Sequence, residues 1–147
     1  MRHRSRALGA LILLSAPLLA GAAPPGQNVS ASVTGLRSTK GQILGCMTAQ
    51  PKAFPGCEDD PQARRLTVPA TTQRLDFGAV PAGRYAIALI HDENGNGRLD
   101  KRLVIPREGF GFSQDAPVMM GPPPFSKAAF AVGEVGQHLT IRMRYLL

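Results

Sequence analysis

The chemically richest stretch of the chain is His91-Asp92-Glu93-Asn94-Gly95-Asn96-Gly97-Arg98-Leu99-Asp100. Side-chain oxygens recur at alternate positions, and glycine stands where the backbone must turn. Counted from Asp92 as the first place of a calcium loop, Asn94 is third, Asn96 fifth, Gly97 sixth, Arg98 seventh and Asp100 ninth. The seventh place needs only a main-chain carbonyl, so an arginine there is no obstacle. Calcium takes hard oxygen donors, and alternate residues of a tight loop can aim theirs at one centre. The twelfth place, where an EF-hand carries a bidentate Glu, is Leu103, and no flanking helix pair is readable. Glu108 is the acid that could swing in to complete the set. The expected ligands are therefore Asp92, Asn94, Asn96, the Arg98 carbonyl, Asp100 and Glu108, holding calcium weakly, at about 10⁻⁴–10⁻³ M. A metal-free turn uses the same residues. Asn and Gly tolerate positive φ, and Asp92 and Asp100 can accept main-chain N–H groups.

Catalysis asks for a nucleophile, a base and an orienting group. Past the amino-terminal segment the histidines are His91 and His138. His138 starts an outward-facing parity, whereas His91 ends an apolar strand beside Asp92 and is the better base. A small periplasmic hydrolase using His91 with Ser113 and Asp115, or with nearby acids, is the alternative reading. No Gly-x-Ser-x-Gly elbow supports it. Asp92 and Glu108 would be a glycosidase pair picked from ten acids, which is weak ground. Phe110 and Phe112 could stack on sugar, but core filling is the simpler fate of loop aromatics. No catalytic residue is assigned.

The elements that must position these groups read as strands. Val29, Ala31 and Val33 alternate with polar residues. Residues 42–49 suit a second strand, and Leu66–Pro69 and Leu75–Phe77 are shorter candidates. Val80-Pro81-Ala82-Gly83 is a turn signal. After it, residues 84–91 are apolar on both faces: Tyr85, Ile87 and Leu89 on one, Ala86, Ala88 and Ile90 on the other. Such a strand belongs at the centre, covered on both sides. Residues 92–124 are a long Gly/Pro-rich region in which Met119-Met120 is expected as a short strand or core plug. Ser126–Phe130 suits one helical turn or the beginning of a strand. The last strand places Leu139, Ile141, Met143 and Tyr145 inward and His138, Thr140, Arg142 and Arg144 outward. No long helical periodicity follows the amino-terminal segment. The expectation is an all-β, antiparallel sandwich of about seven strands, immunoglobulin-like or prealbumin-like, with an eight-stranded barrel as the alternative.

Arg2, Arg4 and Arg6 precede an apolar run from Ala7 to Ala20 and then Ala20-Gly21-Ala22, the pattern of a secretory signal peptide cut near Ala22. The run is short for a membrane anchor, so stable insertion after cleavage is not expected. The predicted organisation is 1–22 signal peptide, 23–27 flexible tail and 28–147 one domain. The net charge of +7 then falls to +4, with 14 basic against 10 acidic residues. That excludes a nucleic-acid footprint. Cys46 and Cys57 are the two cysteines, and in an oxidising compartment they should pair as a structural disulfide. The short loop is worth roughly 2–3 kcal/mol.

Leu75 to Ser113, LDFGAVPAGRYAIALIHDENGNGRLDKRLVIPREGFGFS, resembles a family of exported bacterial proteins, domain of unknown function 2141. The specific motifs are the His-Asp-x-Asn-Gly-Asn-Gly-x-Leu-Asp run and the Pro-x-Glu-Gly-Phe-Gly-Phe-Ser run. VTGLRSTKGQILGCMTA and GPPPFSKAAF fit as well. The resemblance implies an exported β-sandwich and brings no established activity or metal site. A wider likeness, through Pro81-x-Gly83-x-Tyr85, is to carboxypeptidase-regulatory and Cna-B-type sandwiches, a matter of fold alone. The resulting functional expectation is a periplasmic or secreted binding or structural module of the cell envelope. Its partner would be an envelope protein or a glycan.

Overall fold

The structure is a computed structural model that describes residues 25–147. The expected signal peptide and its cleavage site lie outside the described residues. Strand β1 (Gln27–Thr34) begins one residue earlier than expected, within the predicted tail. β2 (Gln42–Thr48), β3 (Arg64–Pro69), β4 (Arg74–Val80) and β5 (Gly83–Asp92) follow. The hairpin β6 (Lys101–Arg102) and β7 (Ile105–Pro106) leads to β8 (Gly109–Phe112). A 3-10 turn at Ser113–Asp115, a one-turn helix α1 (Phe125–Ala128), β9 (Phe130–Val132) and β10 (Gln137–Arg142) complete the chain. Ser126–Phe130 is thus both things foreseen, a helical turn running into a strand.

Two sheets enclose one core. The first has the order β10-β1-β4; the second runs β3-β2-β5-β8, with β9 pairing the early part of β5. Neither closes into a barrel. One pairing departs from the antiparallel expectation: β10 lies parallel to β1, with Val33 opposite Ile141. The strand pattern does specify that Ile141 faces inward. It does not specify the direction in which the chain arrives, and here a long excursion returns it along β1.

The alternation in β1 buries Val29, Ala31 and Val33, which meet Leu75 and Phe77 of β4, Ile43 and Met47 of β2, and Ile87 and Leu89 of β5. The other face of β5 is also covered. Ala86 and Ala88 pack under Phe110, Phe112, Ala116 and Ala128, and their small side chains let that layer come close. The doubly apolar pattern therefore marks the central strand, as its two-sided hydrophobicity requires. Phe110 and Phe112 are core residues, which leaves no aromatic surface there for sugar. Tyr85 is only half-buried at the rim, with its hydroxyl donating to the Pro81 carbonyl at 2.9 Å.

The Met119-Met120 expectation is wrong. These side chains are 88% and 104% exposed. The second apolar layer is already filled by Phe54, Val118 and Phe125, so two adjacent methionines have no opening to enter. Cys46 on β2 and Cys57 in the following excursion form the expected disulfide, with Cα atoms 6.1 Å apart. It fastens residues 49–63 over the face of β2 opposite the main core. Below it, buried Asp60 accepts the Thr48 hydroxyl and the Gln62 N–H, and holds the excursion in place.

Candidate functional site

β5 carries its alternation one step too far for a purely apolar strand. It ends on His91 and Asp92, both fully buried. Each must find partners for its polar atoms in the interior. His91 Nδ1 lies 2.7 Å from the Tyr145 hydroxyl, and Nε2 lies 2.8 Å from the Lys40 carbonyl. Both ring nitrogens are thus engaged in tying β5 to the carboxyl-terminal segment and to the 35–41 turn. Burial holds the Tyr145 hydroxyl above the ordinary tyrosine range.

Asp92 acts as an anionic hub. Oδ1 accepts the N–H of Gly95 and Asn96, and Oδ2 accepts the N–H of Gly97 and the Gln42 side-chain amide, at 2.7–3.1 Å. Burial is the strongest single influence on this carboxyl and pushes its pKa up. The four hydrogen bonds together outweigh it and hold the pKa below the usual carboxylate range. The turn can fold around one carboxylate because Gly95 and Gly97 take φ values of 72° and 80°, which side-chain-bearing residues rarely adopt.

The remaining oxygens of the motif repeat this pattern on a smaller scale. Asn94 Oδ1 accepts the Asn96 N–H, and Asn96 Oδ1 accepts the Arg98 N–H. Their side-chain amides donate to the Asp100 carboxylate, at 2.6 Å from Asn94 and 2.9–3.0 Å from Asn96. The Asn96 bond, then the Asn94 bond, keeps Asp100 below its ordinary pKa. Glu108, 4% exposed, comes in from beyond the β6–β7 hairpin. Its Oε1 accepts the Glu93 N–H at 3.2 Å and its Oε2 accepts the Asp100 N–H at 3.0 Å.

All six residues expected as calcium ligands therefore belong to one loop system, but their carboxylates are aimed at backbone N–H and amide groups. Among the described residues no three His, Cys, Asp or Glu side chains converge as a metal site. Asn94, Asp100 and Glu108 line a shallow cavity of about 260 Å³ with Arg37, Glu93 and Arg107. Asp92 and Asn96 are not part of that lining.

The hydrolase constellation is not assembled. The Ser113 hydroxyl is buried between β5 and α1, donating to the Ala128 carbonyl at 2.6 Å and accepting the Ile87 N–H at 2.9 Å. His91 faces Tyr145 and Lys40 instead. Asp115 pairs with Arg144 at 2.7 Å. The Asp92 and Glu108 carboxylates each accept main-chain N–H groups, and Asp92 lies outside the cavity that Glu108 lines.

Sequence reasoning missed Arg37. Its guanidinium donates to the Glu93 carboxylate and to the carbonyls of Arg107 and Leu147, and it stacks 4.4 Å above the Tyr145 ring. The hydrogen bond with Glu93 raises the Arg37 pKa and, reciprocally, lowers that of Glu93. One side chain thus fastens the 35–41 turn, the 92–108 loop and the carboxyl terminus. An arginine in a turn carries no local signal for such a role, because its partners lie 56 to 110 residues away.

No curated protein and no solved structure matches the chain. A family model described as "Uncharacterized protein conserved in bacteria (DUF2141)" matches residues 31–140. The match runs from β1 into β10 and takes in the central strand, the Asp92 hub and Glu108, so the chain belongs to the DUF2141 family.

Proposed function

We propose that the protein is an exported, non-enzymatic module of the cell envelope that works by presenting its 92–108 loop to a partner. One observation carries this reading. The residues richest in chemical potential are spent on holding backbone, Asp92 and Glu108 together accepting five main-chain N–H groups. A loop braced in this way is a preorganised binding element. The disulfide supports an oxidising location. Among the described residues no helix is long and apolar enough to cross a membrane. Fractionation of cells expressing the full chain, with amide exchange on the recovered protein, tests the reading. Processed protein outside the cytoplasm, with slow exchange at Glu93, Gly95, Asn96, Gly97 and Asp100, is expected. Uncut cytoplasmic protein, or free exchange at these amides, would overturn it.

Weak calcium binding is a second reading, favoured by one feature. Asp100 and Glu108 face the same shallow cavity, each with acceptor capacity left over. An ion there would draw on Asp100, Glu108 and Asn94, with the Arg98 carbonyl, Asn96 and Asp92 behind them. Melting with chelator, with magnesium and with millimolar calcium decides it. Calcium at about 100 times its Kd adds about 2.7 kcal/mol, and Asp100→Asn removes the gain. Identical midpoints would leave a metal-free turn. Asp92→Ala is unsuitable for this test, because it would remove the hub whether or not calcium binds.

A further inference from the structure

The 92–108 loop ends in a hairpin that contradicts its own chemistry. Strands β6 and β7 have two residues each, and the tip between them is Leu103-Val104. Hairpin tips are normally Asn, Asp or Gly, because those residues tolerate positive φ. Here Leu103 takes φ 57° with its side chain 93% exposed, and Val104 is 86% exposed. A strained, apolar residue held in water points to a use for the exposure. The flanks are cationic: Lys101, Arg102 and Arg107 are all exposed, and among the described residues none of the three is in an ion pair.

We propose that this hairpin tip docks the protein on an anionic lipid surface. Leu103, Val104 and Ile105 would enter the acyl boundary, with Lys101 and Arg102 at the phosphate level and Arg107 behind them at the base of the hairpin. Two properties favour lipid over a folded protein partner. The tip is a protrusion of three apolar side chains, too small to supply the roughly 800 Å² per partner of a standard protein interface. Interfacial binding to lipid needs only a few apolar anchors together with basic residues attracted to anionic headgroups. The brace behind the tip matters as well. Glu108 holds Asp100 at the base of β6, and the Arg107 N–H donates to the Asp100 carbonyl at 2.9 Å. The hairpin is therefore presented rather than collapsed onto the sheet. This docking deepens the envelope reading above by naming the partner of the same loop.

Sedimentation of the processed protein tests the proposal. The vesicles are phosphatidylcholine alone, or phosphatidylcholine with one-third phosphatidylglycerol. Binding is expected to the anionic vesicles, weakened by salt, and reduced about tenfold or more by Lys101→Glu with Arg102→Glu. Leu103→Ser with Val104→Ser should lower it to the background level at an unchanged melting temperature, since neither side chain is in the core. No binding, equal binding by wild type and the Leu103/Val104 variant, or a concentration-dependent dimer abolished by that variant in place of lipid binding would each overturn the proposal. Fractionation failing to find the protein outside the cytoplasm would overturn the export reading alone, because the vesicle result stands without it.

Discussion

Glu108 closes the turn that Asp92 begins. The two carboxylates approach the 93–100 backbone separately, Asp92 taking the N–H groups of residues 95–97 and Glu108 those of residues 93 and 100. Between them they replace the pairing that a regular strand would have supplied. The loop is a hydrogen-bonded extension of the central strand for this reason, although residues 93–100 contain no regular secondary structure.

Removing Glu108 should loosen the loop without unfolding the sandwich. Glu108→Ala leaves the N–H groups of Glu93 and Asp100 without their acceptor. The expected cost is about 1–3 kcal/mol. Amide exchange should accelerate most at Glu93 and Asp100, while Leu89 in β5 keeps its protection. Equal acceleration in β5 would mean that Glu108 supports the whole fold.

The Asp92 hub should make stability fall in acid. Its folded pKa lies below its unfolded value. The contribution is thus fully present above the unfolded carboxyl pKa of about 3.9 and is lost as pH drops through the folded pKa. Asp100 and Glu93 shift in the same direction, so the losses add in the same window. Melting temperature should be flat near neutrality and decline below about pH 4. Asp92→Asn should flatten part of that decline. An unchanged acid slope in the variant would assign the effect to other carboxyls.

The fold was legible where one residue's neighbours settle its environment. Alternation in 28–34 and in 84–91 located the first and central strands, because burying one or both faces of a strand imposes that pattern. The two cysteines, alone in the sequence, indicated their own pairing. The parallel arrival of β10 was not legible, because an inward residue such as Ile141 reads the same in either direction. The Asp92-x-Asn94-x-Asn96-Gly97 motif pointed to one folded turn but left its use ambiguous. Oxygens spaced for a cation are also spaced for main-chain N–H groups. Arg37 was invisible because everything it touches is distant in sequence.

Truncating the centre of β5 should be costly. Leu89 is 1% exposed between the two sheets. Leu89→Ala should destabilise by about 2–5 kcal/mol, the transfer loss plus the cavity left behind. Chemical denaturation measures it. A change of a few tenths would show that the site collapses freely and that β5 is not the packing centre.

The disulfide supports the excursion rather than the sandwich. Cys46 and Cys57 are separated by 11 positions and close a loop lying on β2, opposite the main core. Under non-reducing conditions mass spectrometry should find both thiols blocked. Replacing both by alanine should cost roughly 2–3 kcal/mol, as expected for the loop entropy returned to the unfolded chain. The first consequence should be local. Asp60 accepts the Thr48 hydroxyl of β2 only while the excursion lies on that strand, so exchange should rise in residues 53–63 before it rises in β5. Proteolysis should then cut within that span, with the two sheets and the 92–108 loop left whole. Simultaneous loss of protection in the excursion and in β5 would instead make the disulfide part of one cooperative unit with the core.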